Sequence, residues 1–109
     1  MDFRKVNAIF RPDRLQAVEN RLRSLGVPGL SVTKVRGYGE YANFYQQDWL
    51  CTHVRIEVFT SRLKAEEIAE AIMEEAHTGI EGDGIVAVLP VESVYHIRRK
   101  EKCHADVCD

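Results

Sequence analysis

The stretch "HTGIEGDGIVAVLPV", residues 77–91, decides the fold. Gly79, Gly82 and Gly84 gather around Asp83 and lead straight into Ile85-Val86-Ala87-Val88-Leu89. Glycine costs backbone entropy and is used where φ must turn positive, or where another backbone or a ligand comes very close. The turn is therefore either an ordinary loop leaving a helix or a cradle of amides for an anion. The all-apolar run behind it reads as a strand, 85–89, buried on both faces. Just before it, Ala65, Ile68, Ala69, Ile72 and Ala76 make an apolar stripe at helical spacing, with Ser61 placed to cap it.

Further upstream, "HVRIEVF", 53–59, alternates cleanly, with Val54, Ile56 and Val58 on one side and His53, Arg55 and Glu57 on the other. That is a strand. "RKVNAIF", 4–10, does the same with Val6, Ala8 and Phe10. "RPD" then stops it, and Asp13 with Gln16 reads as a capping-box variant for a helix carrying Leu15, Val18, Leu22 and Leu25. Gly26 ends that helix, with Pro28 just beyond. "LSVTKVR", 30–36, is β-branched and reads as another strand. "SVYHIRR", 93–99, adds an edge strand. The order is βαββαβ, an α+β ferredoxin-like fold: a four-stranded antiparallel sheet with two helices on one face. The other sheet face then needs a cover, and a second copy of the chain supplies one.

The 109 residues make one domain, 1–109. A net charge of -2 argues against a dedicated nucleic-acid binder, which needs a clustered basic face. No apolar run approaches the roughly 18 residues that span a bilayer. The opening "MDFRKVNAIF" lacks a signal-peptide core, so a cytoplasmic protein is expected, without membrane insertion.

Strands two and three could be joined by a short hairpin, yet residues 37–52, "GYGEYANFYQQDWLCT", lie between them. Five of the chain's nine aromatics fall there: Tyr38, Tyr41, Phe44, Tyr45 and Trp49. Aromatics on a loop either fold back on the body or meet a partner. The second reading is preferred.

With loop and turn both placed, "GLSVTKVRGYG", "VRIEVF", "HTGIEGDG", "VAVLPVE" and "YHIRR" follow one another as in the PII signal-transduction family, which this chain resembles over nearly its whole length. The resemblance implies a homotrimer with adenine nucleotides in clefts between subunits and a mobile loop, 37–52, that signals to a protein partner. It implies that Gly82, Asp83 and Gly84 wrap the phosphates. It also implies that Gly37, Tyr38 and Gly39 form the hinge beside the nucleotide, and that Ile9, Gly29, Ser31, Glu57, Val58 and Phe59 line the base and ribose pocket. Arg98 would reach the phosphates from the adjoining subunit. The chain departs from the family where it usually carries basic residues, holding Glu40, His53, Ile85 and His96 instead. A charge-assisted hydrogen bond contributes about 1.5–3 kcal/mol, so losing two costs roughly a hundredfold in affinity for a highly charged tail. ADP or AMP is therefore expected to bind in preference to ATP. Tyr41 replaces a family glutamine, and the loop is shorter than in the nitrogen-signalling type, so 2-oxoglutarate sensing is not expected.

"KCHADVCD" closes the chain with Cys103 and Cys108 separated by four residues, in a tail spanning 100–109. The two can form a reversible disulfide. With His104 they could instead offer three zinc ligands, or the tail is frayed and inert. A shortened loop, a weakened triphosphate site and a thiol tail together resemble the PII-like branch associated with carboxysomes and bicarbonate uptake. That branch implies bicarbonate as a further effector, with Arg98 or the backbone near Gly39, Glu40 and Tyr41 as its site. It implies a bicarbonate transporter or carboxysome-related protein as partner, and no permanent cofactor. The expected role is a non-enzymatic sensor. Slow nucleotide hydrolysis through Glu40, Glu57 or Asp83, RNA binding, and metal-responsive signalling are the rivals.

Overall fold

The computed structural model describes residues 2–37 and 51–104. Strand β1 (Phe3–Phe10) is followed by a single 3-10 turn at Pro12–Arg14 and helix α1 (Leu15–Ser24). Next come β2 (Ser31–Gly37), β3 (Cys51–Ser61), helix α2 (Arg62–Ala76) and β4 (Gly84–Val91). The sheet order is β2-β3-β1-β4 with every pair antiparallel, which is the ferredoxin-like arrangement expected. Among the described residues no helix is long and apolar enough to cross a membrane.

The core lies on one side of the sheet. Val6, Ala8 and Phe10 of β1 face their cross-strand partners Val58, Ile56 and Val54 of β3. These pack against Val18 and Leu22 of α1 and Ala65, Ile68, Ala71, Ile72 and Ala76 of α2. The period-two stripe of the strands and the 3–4 stripe of the helices thus meet in one apolar layer. Arg21 fixes the two helices to each other at their outer edge, reaching Glu74 at 2.8 Å and Glu75 at 2.9 Å. The hydrogen bonds to Glu74 and Glu75 raise the proton affinity of its guanidinium further.

Gly26 does end α1, in a Schellman closure: the amide of Val27 donates to Leu22 O and that of Gly26 to Arg23 O, both at 3.0 Å. The capping-box expectation does not hold. Asp13 sits inside the 3-10 turn forced by Pro12, and the N-cap of α1 is Arg14, without a side-chain bond. Ser61 stands at the N-cap of α2 as expected, but its hydroxyl makes no capping bond and is buried without a partner among the described residues.

Two further expectations are corrected. Strand β4 is not buried on both faces, because it forms the rim of the sheet next to β1. Ile85, Val88 and Leu89 are 44, 45 and 38% exposed in the single chain. Pro90 lies within it, paired in register with Arg4, and a rim strand is where the sheet tolerates a proline. Residues 93–99 do not extend the sheet either. They start a separate small hairpin, β5 (Tyr95–His96) with β6 (Glu101–Lys102), tied by the amide of Cys103 donating to Val94 O at 2.8 Å.

The face away from the helices carries Lys5, Asn7 and Ile9 of β1, opposite Phe59, Glu57 and Arg55 of β3 and Leu89, Ala87 and Ile85 of β4. No element of the described chain forms a layer over it comparable to the helices on the other side.

Candidate functional site: a pinned glycine turn

Residues 77–84 leave α2 and swing back to start β4 beside the end of β1. Three glycines make the path possible, Gly79 among them with φ of +86°. Gly82 and Gly84 have φ of +94° and +115°, in the region that L side chains rarely adopt. At Gly84 the contact is also tight, since a Cβ there would stand 1.8 Å from Ile9 O.

Asp83, between them, closes the turn on itself. Its carboxylate accepts from the amide of Thr78 at 2.8 Å, the amide of Gly79 at 2.9 Å and the Thr78 hydroxyl. The guanidinium of Arg11 completes the set, with Nε at 3.2 Å. Burial pushes this carboxyl up, but the hydrogen bonds from the Thr78 hydroxyl, the two amides and Arg11 outweigh it and hold Asp83 well below the usual carboxylate range.

The turn is also pinned from outside at three consecutive residues. Arg11 donates from Nη2 to Glu81 O at 2.7 Å. His53 Nε2 lies 2.9 Å from Gly82 O, and Arg11 Nε holds the side chain of Asp83. In a trans peptide the N–H points opposite to the preceding C=O. Drawing the Glu81 and Gly82 carbonyls onto Arg11 and His53 therefore directs the amide of Gly82 away from Arg11 and that of Asp83 away from His53. No peptide bond of the described chain is cis.

The other expected site residues fall into two groups. Gly37, at the last pair of β2 with β3, lies at the same end of the sheet as His53, Ile9 and the turn. Gly29 and Ser31 lie on and beside the start of β2, with Ser31 opposite Glu57 and Phe59 two residues further along β3. At about 3.3 Å per residue, Phe59 stands roughly 20 Å along the strand from His53. One chain does not bring the phosphate-type and base-type groups together. Phe59 is 56% exposed on the open face. Glu57 is already paired with Lys5 at 3.1 Å. Val58 points the other way, into the helix-side core at 1% exposure, so its side chain lines nothing on the open face. Arg98 is exposed on the turn joining β5 to β6. Tyr38, Gly39, Glu40, Tyr41 and Cys108 lie outside the described residues, as do the loop aromatics. Cys103 is buried and disulfide-bonded. Among the described residues no cluster of three His, Cys, Asp or Glu could hold a metal ion.

An apolar groove of about 240 Å³ runs beside the turn between β4 and α2, floored by Ile72, Met73, Ala76, Ile85 and Val86. Its nearest carboxylate, Asp83, is fully engaged, so the groove offers little to a charged ligand.

Sequence reading missed Arg11, His53 in its actual role, and Thr78. Arg11 looked like part of a strand-stopping "RPD"; its position directly after β1, opposite the start of β4, was the available signal. His53 sits on the side of β3 assigned from alternation, but the turn covers it and leaves it only 2% exposed.

Residues 3–101 match the family model described as "Nitrogen regulatory protein P-II". The chain is 39% identical to nitrogen regulatory protein GlnK2 of Haloferax mediterranei, over 85% of this chain and 81% of that protein. It is 37% identical to nitrogen regulatory protein P-II of Azospirillum brasilense, over 91% of this chain and 95% of that one. Among solved structures, the crystal structure of Arabidopsis thaliana PII bound to citrate superimposes with a TM-score of 0.81 at 37% identity, covering 94% of this chain and 89% of that one.

Proposed function

The chain belongs to the nitrogen regulatory protein P-II family, and we propose that it is a regulatory sensor that reads ADP or AMP in clefts between the subunits of a homotrimer. The observation that carries this reading is the pinned turn. Arg11 and His53 hold the carbonyls of Glu81 and Gly82, so that successive amides face the other way and can meet phosphate oxygens. Ser31 lies roughly 13 Å off along the same sheet and Phe59 roughly 20 Å, with Gly29 beyond Ser31, so a neighbouring copy has to bring a second set of them to the turn. The open sheet face, with exposed Phe59 and Leu89, gives that copy a surface to bury.

The diphosphate preference rests on what stands beside the turn. His53 spends its Nε2–H on Gly82 O, and Ile85, first after Gly84, brings no charge. The γ-phosphate of ATP thus gains least. Bicarbonate is the proposed co-effector, held by Arg98 or by backbone near Gly39 to Tyr41. Energy and inorganic-carbon status then pass through residues 37–52 to a cytoplasmic protein partner, of the bicarbonate-transporter or carboxysome-related kind. The Cys103–Cys108 pair is the proposed redox element of the tail. That the Arabidopsis relative was crystallised with citrate adds weight to small-anion binding in this family.

Calorimetry with AMP, ADP and ATP in metal-free buffer, each with and without bicarbonate, tests the reading. ADP and AMP are expected to bind at least tenfold more tightly than ATP, and bicarbonate to tighten them further. ATP binding more tightly than ADP would overturn the preference, and no binding of any adenylate would remove the function. Citrate in the same titrations separates a general polyanion site from a nucleotide site.

A further inference from the structure

We propose that His53 is a positioning residue that sets the tilt of the Gly82–Asp83 peptide and so couples the start of strand β3 to the ligand-facing turn. The proposal deepens the nucleotide-sensor reading above and rests on it for its meaning, though not for its test. A carbonyl oxygen can only accept, so the 2.9 Å contact with Gly82 O requires the proton on His53 Nε2. Nδ1 is buried and has no partner among the described residues, so this single bond orients the ring.

Two strands hold the turn, by different means. Arg11, one residue past β1, grips Glu81 O and the Asp83 carboxylate through a long, partly exposed side chain. His53 grips the carbonyl between them through a short, rigid ring in a nearly sealed site. His53 is paired with Val35, two residues from the Gly37–Cys51 pair that closes the β2–β3 ladder. Strand β3 begins at that pair. A displacement of the β3 start relative to β1 therefore moves one anchor and not the other. The peptide between Gly82 and Asp83 must rotate, and its N–H rotates with it. Because Gly82 has no Cβ, little opposes that rotation. Ligand at the turn and movement at the loop base become linked through one imidazole, in both directions.

The test compares the wild-type trimer with H53Q and H53L. A glutamine side chain carries an amide N–H as many bonds from Cβ as Nε2 of histidine, whereas leucine fills similar volume and donates nothing. In the nucleotide-free wild type, imidazole nitrogen NMR should report a proton on Nε2. Amide signals of residues 79–84 should shift in H53L and stay near wild-type positions in H53Q. By calorimetry, ADP affinity should fall tenfold or more in H53L and stay within threefold in H53Q. A ring without a proton on Nε2, or turn signals indifferent to H53L, overturns the proposal, as does a folded H53Q that behaves like H53L. If wild type binds no ADP, the sensor reading fails while the NMR arm still decides the role of His53. If H53L does not fold, the wild-type Nε2 proton and H53Q decide it.

Discussion

Asp83 carries the most chemistry per atom in this chain, and its protonation has a definite sign. Hydrogen bonds from Thr78, Gly79 and Arg11 hold its carboxyl below the ordinary range against the opposing effect of burial. A group held low in the folded state contributes its full stability above the unfolded value of about 4, and gives it up as pH falls through the folded value. Urea unfolding midpoints should therefore be flat from pH 7 to about 5 and decline in more acid solution. D83N should cost about 2 kcal/mol at pH 7, the usual scale for hydrogen bonds to a charged group, and should flatten the acid decline. An unchanged acid slope in D83N would assign the effect to another residue. Gly84 poses a steric question instead. G84A should cost about 3 kcal/mol or more, because the new methyl meets Ile9 O and the φ of +115° is strained for alanine. Gly26 also has positive φ but open space around it, so G26A should cost only about 1 kcal/mol. Comparing the two by denaturant melts separates collision from backbone strain.

Among the elements, those with a strict period were readable and those decided by neighbours were not. The alternation of 4–10 and 53–59 placed β1 and β3 within two residues and assigned the correct face to Val54, Ile56 and Val58. The α2 stripe marked Ala65, Ile68, Ile72 and Ala76 of the core but missed Ala71, which is 1% exposed. I56A, at the centre of β3 with no exposure, should accordingly destabilise the chain by about 3 kcal/mol, read from the shift in urea midpoint at unchanged slope. The status of β4 was not readable in this way. An unbroken apolar run looks the same whether a strand is sealed by its own chain or awaits another, and only the sheet order reveals a rim. The site was half legible for a related reason. Glycine spacing announced a special turn, because glycine marks backbone geometry locally. Arg11 and His53 pin that turn from 70 and 29 residues away in sequence, a separation no local pattern encodes.

For the whole molecule, the decisive property is a sheet with one dressed face and one bare one. Leu89 lies on the bare face at 38% exposure, in the same cross-strand row as Lys5. L89E should leave the single-chain core intact yet place a charge wherever a second copy covers that row. Sedimentation equilibrium should find three times the 12.5 kDa chain mass for wild type and a shift towards one chain for L89E. A wild type that sediments as one chain would remove the trimer. Pro90 adds a separate consequence. A proline within a rim strand interrupts the regular run of N–H donors, so that margin is a poorer template for an endless row of strands from molecule after molecule. The chain can thus leave sticky hydrocarbon uncovered for assembly into a closed, countable particle while remaining poorly suited to fibre growth.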